Sequence, residues 1–250
     1  MDDITYGQFQ NFVAKETEFK KVFSDKITND GVAFQLKEDE TPVTQIDLLI
    51  EKTLRKSISN NFPTHSIIGE EFEDKLGKSS YKWIIDPIDG TYALTKGVPM
   101  FGILVGLLHK EIPLYGCVRF PLMDKLICGN GQTSSENGMS VQCDNHTPLS
   151  HSLILTSDER RINESKYKSN WGHLNNLVSN HRTWGDCFGY YLVCTGKAQV
   201  MFDLDLKPCD ILPLVPIIQG AGCEIIELEE PYKDIIVCPK SLKTEILECF

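Results

Sequence analysis

Trp83-Ile84-Ile85-Asp86-Pro87-Ile88-Asp89-Gly90-Thr91 is the stretch on which the reading of this chain turns. A short apolar run bounded by turn residues suits a buried strand. It ends in Asp86, and Pro87 stiffens the backbone just beyond. Asp89 follows in a turn that Gly90 lets fold sharply. Two carboxylates at the mouth of a strand can share a hard cation. The Ile88 carbonyl can add a third oxygen, the donor type magnesium takes. Alone, the stretch reads more simply as an acidic turn, since Asp, Pro and Gly are ordinary turn residues.

Two further segments shift that balance. Ile67-Ile68-Gly69-Glu70-Glu71 is again an apolar run, a glycine and then acids, and Lys207-Pro208-Cys209-Asp210 opens a helix. In isolation Glu70 and Glu71 are a solvated pair and Asp210 is a helix N-cap.

Outward from these segments the pattern is one of blocks. Residues 4–23 read as one helix. Thr44 to Asn61 reads as a second, because Ile46, Ile50, Leu54 and Ile58 recur every four residues and Pro63 follows. Strands are expected at 67–68, 83–85, 101–108, 114–118, 125–128, 152–156, 198–202, 224–228 and 234–237. Helices are expected at 170–180 and 188–195, with Gly196 as C-terminal cap, and at 211–219 with a kink at Pro216. A short helix closes the chain. Helices and strands in blocks predict layered sheets with helices, an α+β fold, rather than a Rossmann fold or a (β/α)8 barrel.

The 250 residues suffice for a single domain over 1–250, with a metal and phosphate half at roughly 1–145 and a substrate-lining half at 146–250. Hydrophobic residues are 41% of the chain and the formal net charge is −10, a poor endowment for non-specific nucleic-acid binding. None of the nine cysteines is spaced C-x-x-C, which points to buried, reduced thiols. No signal sequence and no run of about 18 apolar residues is seen, so the expectation is a cytoplasmic protein without a membrane partner. The six histidines show no ligand spacing and read as surface or loop residues.

Gly69-Glu70-Glu71, Asp86-Pro87-Ile88-Asp89-Gly90-Thr91 and Asp210 ahead of Ala221-Gly222 together resemble the inositol monophosphatase family. So does Thr41-Pro42-Val43-Thr44-Gln45-Ile46-Asp47. The resemblance implies a layered αβαβα sandwich and a magnesium-dependent phosphomonoesterase holding two or three ions. Glu70, Asp86 and the Ile88 carbonyl would hold one magnesium; Asp86, Asp89 and Asp210 would hold a second; Glu70 would help with a third. The amides of Gly90 and Thr91 would receive the phosphate at a helix start. Asp47, Thr91 and Glu70 would be the catalytic residues, Thr91 and Asp47 orienting the water. Asp47 is also placed as the N3 acid of a helix capped by Thr44, and both roles can hold together. A homodimer and sensitivity to lithium are further expectations from the resemblance.

The substrate side rests on Arg182-Thr183-Trp184-Gly185-Asp186-Cys187 and on Gly97-Val98-Pro99-Met100-Phe101-Gly102, which look like the histidinol-phosphate phosphatase branch. Gly185, Asp186, Cys187 and Asp203 are the expected substrate residues. A carboxylate at Asp186 would favour the cationic amine and titratable imidazole of L-histidinol phosphate over neutral inositol. Three positions depart from the pattern. Cys209 stands for a tryptophan, Cys223 for a second glycine, and Tyr92-Ala93-Leu94 occupies a place where this branch tends to have an arginine. Trp184 reads as a core residue before it reads as a stacking partner. Arg160-Arg161 reads as a solvated pair before it reads as a phosphate clamp brought over the site by a loop. The competing functions are an inositol-1-phosphate phosphatase and, from another class, a catalytically silent metal-binding interaction protein. The enzyme reading requires that Asp210 meet the Asp86–Asp89 corner in space.

Overall fold

The computed structural model describes residues 3–27, 31–38 and 40–250. Helices α1 (Tyr6–Glu16) and α2 (Lys20–Lys26) precede a ribbon of β1 (Phe34–Leu36) and β2 (Pro42–Thr44) and the long α3 (Gln45–Asn61). A seven-stranded sheet follows: β3 (Ser66–Gly69), β4 (Tyr81–Asp89), β5 (Gly102–His109), β6 (Ile112–Phe120), β7 (Lys125–Gly129), β8 (Ser134–Glu136) and β9 (Met139–Val141). They lie side by side in chain order, with α4 (Thr91–Thr95) between β4 and β5. Only β3 and β4 run parallel; the rest is an antiparallel meander.

The remaining chain builds a five-stranded sheet of order β11-β10-β12-β14-β13. Its strands are β10 (Leu153–Leu155), β11 (Asn180–Arg182), β12 (Val200–Asp203), β13 (Cys223–Glu227) and β14 (Ile235–Pro239). The accompanying helices are α5 (Glu159–Glu164), α6 (Lys168–Leu177), α7 (Asp186–Cys194), α8 (Pro208–Ile211), α9 (Val215–Gly220) and α10 (Lys243–Leu247).

Three apolar cores stack these elements into an αβαβα sandwich. In the first, Phe9 and Val13 of α1 and the Ile46–Ile58 series of α3 close over Trp83, Ile85, Ile103 and Val105 of the first sheet. In the second, α7 and α9 fill the space between the sheets, Val193, Val215 and Ile218 meeting Leu104 and Val118 on one side and Met201 and Val237 on the other. In the third, Ile162, Trp171 and Ile246 of the outer helices cover Phe202 and Ile236. The middle core draws residues from both halves of the chain.

Two expected helices are broken, each for a visible reason. The 4–23 helix stops at Glu16 because Arg119 reaches its end, donating to the Ala14 carbonyl at 2.9 Å and to Thr17 Oγ1 at 3.3 Å. A buried cation there satisfies the terminal carbonyls and the helix dipole. The 211–219 helix is two short helices, with Pro208 opening α8 and Pro216 in the first turn of α9. Both prolines therefore sit where a missing N–H costs nothing. The short strands β1, β2, β8, β9 and β11 carry too few residues for alternation to show. His65 lies in the loop between α3 and β3 but is buried, accepting from Trp83 Nε1 through Nδ1 at 3.1 Å; Trp184, expected in the core, is half exposed.

The break between α8 and α9 rests on a stripe of glycines. Gly106, Gly116 and Gly129 are cross-strand neighbours on β5, β6 and β7. A Cβ on Gly116 would lie 1.8 Å from the Pro213 carbonyl oxygen, and one on Gly129 would lie 2.4 Å from the Ile217 Cα. Ser134, next in register after Gly129, donates to the Ile217 carbonyl at 2.7 Å. The α8–α9 backbone thus lies directly on the sheet and α8 is held at the end of β4. Gly116→Ala should lower stability by about 1–3 kcal/mol through overpacking against immovable backbone; urea unfolding measures this, and a wild-type midpoint would contradict it.

Candidate active site

At the end of β4 the ladder with β5 shifts register between Asp86 and Asp89, and the chain swings out of the sheet. Asp86 is buried, its Oδ1 accepting from the Ile88 N–H at 2.9 Å. The Ile88 carbonyl accepts from Thr91 Oγ1 at 2.8 Å, leaving a lone pair. Gly90 takes a left-handed φ of 89° at the start of α4. A Cβ there would meet the Met100 carbonyl at 2.7 Å and Asp186 Oδ2 at 3.2 Å. Conformation and space both demand glycine.

Glu70 and Glu71 follow β3, whose parallel pairing sets them beside the end of β4. Their segment is clamped from α3. Glu51 Oε2 accepts from the Glu71 N–H at 2.8 Å and Oε1 from Arg55 Nε at 2.7 Å, while Arg55 also donates to the Phe72 and Glu73 carbonyls. A Cβ on Gly69 would sit 2.1 Å from Glu51 Oε1, so this glycine admits the clamp. Lys37 bridges the two glutamates, 2.8 Å from Glu70 and 2.6 Å from Glu71.

Asp210 arrives from the other half of the chain. It is the N3 residue of α8, not its N-cap: Oδ2 accepts from the Lys207 N–H at 2.9 Å. Donor atoms of Asp86, Cys209 and Asp210 all lie within 4.8 Å of one another. Burial first, and then Glu70, Asp89 and Asp210, push the Asp86 carboxyl well above the usual range. Burial, Asp186 and Asp210 do the same to Asp89. Aspartates so buried and crowded resist ionisation, which a positive charge set among them would relieve. The oxygen donors suit a hard divalent cation, and the Lys37 ammonium between Glu70 and Glu71 already occupies one cationic position. Cys209 adds a thiol that donates to Asp210 Oδ1 at 3.4 Å.

Asp47 performs its capping role: Oδ2 accepts from the Thr44 N–H at 2.9 Å and from the Thr44 hydroxyl. Among the described residues its Oδ1 is buried with no hydrogen-bond partner, and burial, with a contribution from the Glu70 charge, raises its pKa.

The opposite wall comes from α7 and β12. A cleft of about 750 Å³ is lined by Glu70, Asp86, Ile88, Asp89, Gly90, Thr91 and Asp210 on one side and by Ser157, Gly185, Asp186 and Asp203 on the other. Asp186 has φ 50°, a left-handed conformation tolerable for aspartate, and its N–H donates to Ser157 Oγ at 2.8 Å. The same hydroxyl donates to Asp203 Oδ2 at 2.6 Å. Burial pushes Asp186 up to about 6 and Asp203 up to about 7. Cys187 does not line the cleft. Its thiol is buried and donates to the Asp89 carbonyl at 3.7 Å, while its N–H donates to Asp89 Oδ2, so it positions Asp89.

With that geometry in place, similarity to known proteins decides the family. The sequence model of the inositol monophosphatase family matches residues 4–247. The chain belongs to the inositol monophosphatase family. A histidinol-phosphatase of Chlorobaculum parvum is 33% identical over 187 residues, 74% of this chain and 72% of that one. A fructose-1,6-bisphosphatase/inositol-1-monophosphatase of Aquifex aeolicus is 30% identical over 242 residues, 94% and 89% of the two chains. The solved extragenic suppressor protein SuhB of Bartonella henselae superposes with a TM-score of 0.88 over 96% of this chain and 97% of that one, at 19% identity. As an inositol monophosphatase family member the protein is a phosphoric monoester hydrolase of α+β sandwich fold. Among the described residues no helix is long and apolar enough to cross a membrane.

Sequence reasoning missed two residues that shape this cleft, Ser157 and Glu51, and placed a third, Arg161, first in solvent. Ser157 ties Asp186 to Asp203 and carries no local signal, being one serine at a strand end. Glu51 was visible only as a polar residue on the buried face of α3, beside Ile50 and Leu54. Arg161 splits from Arg160: Arg160 pairs with Glu164 in solvent, whereas Arg161 lines the cleft and donates to the Leu204 carbonyl at 3.1 Å. All nine cysteines are buried and free of disulfides.

Asp203 titrates at about 7 in the folded chain against 3.8 for an ordinary aspartate. The folded state therefore binds more protons between those values. The stability this group contributes is fully present below the lower value and is lost as pH rises through the upper one. In metal-free buffer, the melting temperature of wild type relative to Asp203→Asn should fall from pH 5 to pH 8. A difference independent of pH would refute the assignment.

Proposed function

We propose that this chain is a magnesium-dependent phosphatase whose preferred substrate is L-histidinol phosphate. The observation that carries the reading is Asp186. Its carboxylate enters the cleft against the Gly90 turn, with Asp203 joined to it through Ser157, so the wall facing the phosphate seat is acidic. A cationic ammonium or imidazolium set there relieves both raised pKa values, which a neutral polyol does not. The histidinol-phosphatase named among the relatives supports the same choice.

Glu70, Asp86, Asp89, Asp210 and the Ile88 carbonyl would hold two or three magnesium ions, which neutralise phosphoryl oxygens and acidify a water. The Gly90 and Thr91 amides, at the start of α4 where backbone N–H groups have no partner within the helix, would hold phosphate oxygens. The Thr91 hydroxyl spends its proton on the Ile88 carbonyl and so presents only lone pairs to a water. Asp47 Oδ1 is the second acceptor available to orient that water, and Glu70 is the adjacent carboxylate to accept its proton. Attack in line would form one P–O bond as the ester P–O bond breaks, and the leaving oxygen, taking a proton from solvent, would depart as the alcohol on the Asp186 side, with inorganic phosphate left on the Gly90 side.

A phosphate-release panel with magnesium should give a higher kcat/KM for histidinol phosphate than for inositol-1-phosphate. Asp186→Ala should cut the former by about 10- to 100-fold, the cost of an unpaired buried charge, and change the latter little. A preference for the inositol ester that survives Asp186→Ala would replace this reading with the inositol one. Asp210→Asn should lower kcat for every ester by at least about 100-fold, as loss of a charge-stabilising group does; near-normal turnover would remove Asp210 from the metal set.

A further inference from the structure

The cleft that must admit a phosphate dianion is fringed with acids: Asp86, Asp89 and Asp210 on one wall, Asp186 and Asp203 on the other. Such a field opposes anion entry and binding. The position after Thr91, where a basic residue would offset it, carries Tyr92, which is 66% exposed and lines the cleft. The compensating charge comes one helical turn later. Lys96 ends α4 four residues beyond Tyr92, so the two share a face. Its ammonium lies 5.5 Å from the centre of the Tyr92 ring and 5.9 Å from that of Phe34 on β1. Lys96 also lines the cleft, together with Thr91 and Thr41.

A lysine held by ring faces keeps its three donors available, because ring faces attract the charge without accepting all its hydrogen bonds. Among the described residues no carboxylate lies within ion-pair reach of Lys96. The other two bases lining the cleft have partners: Arg161 donates to the Leu204 carbonyl, and Lys207 is likewise engaged; Lys37, outside the lining, is held by two glutamates.

We propose that Lys96, steadied by Tyr92 and Phe34, is the phosphate-recruiting residue of this cleft, contacting the dianion of the ester and of the released phosphate. The proposal rests on the Gly90–Thr91 turn being the phosphate seat. It makes Lys96 a determinant of binding more than of the chemical step, since the charge it meets is present before and after bond cleavage.

Two measurements on the magnesium-loaded protein test it. Calorimetry with inorganic phosphate should show affinity falling about tenfold in Lys96→Met, the weight of one charge contact, and retained within about threefold in Lys96→Arg. With whichever ester the wild type hydrolyses best, Lys96→Met should raise KM by a similar factor and leave kcat within about twofold. Leucine at both Tyr92 and Phe34 should reproduce part of the loss. Wild-type phosphate affinity in Lys96→Met, or a fall in kcat with KM unchanged, would overturn the proposal while leaving the phosphatase reading intact. No phosphate binding to the wild type would overturn both.

Discussion

Mutual repulsion among buried carboxylates is the constraint around which this molecule is arranged. Asp86, Asp89 and Asp210 converge with Glu70, and every one of the three aspartates is pushed toward its protonated form by burial and by its neighbours. A flexible chain would relieve this by moving one acid into water. The fold prevents that, and divalent cations then become the natural way to satisfy the site. The same crowding is what would give these residues an affinity for a divalent cation.

Rigidity comes from two devices at opposite sides of the corner. On one side Glu51 and Arg55 of α3, themselves paired, fix the 70–73 segment through three hydrogen bonds, with Gly69 leaving room. On the other, the Gly106–Gly116–Gly129 stripe lets the α8–α9 connection lie on the sheet backbone and hold Asp210 at the end of β4. Between them Cys187 of α7 grips Asp89 by its N–H. Each acid is thus anchored to a different layer, and the corner cannot relax unless the layers part.

The strong repeat of α3, the strand into Asp86 and the chain order of the acidic motifs were all legible, because each is a local pattern or a familiar grouping. What escaped is what depends on partners far along the chain. The stop after Glu16 needs Arg119, over a hundred residues away. The break at 212–214 needs glycines on three strands. Asp210 as N3 rather than N-cap needs the position of Lys207. Cys187 looked like a cleft residue from its place beside Asp186, yet a helix starting at 186 turns adjacent side chains about 100° apart, which sends one into the cleft and the next into the core.

The two walls of the cleft carry different degrees of obligation. The metal wall is tied to the sheet by a bulge, a left-handed glycine and a helix start, so its geometry cannot drift without unfolding β4. The facing wall hangs on two hydroxyls: Ser157 joins Asp186 to Asp203, and Tyr190 donates to Asp203 Oδ2 at 3.4 Å. Changing one side chain there alters charge complementarity without touching the residues that neutralise the phosphate. Chemistry held by the fold and specificity held by a few exchangeable side chains explain how one architecture can serve different esters. In this chain the exchangeable wall is acidic and Lys96 lines the same cleft, so on the proposed reading a phosphate would sit at one end and a cation at the other.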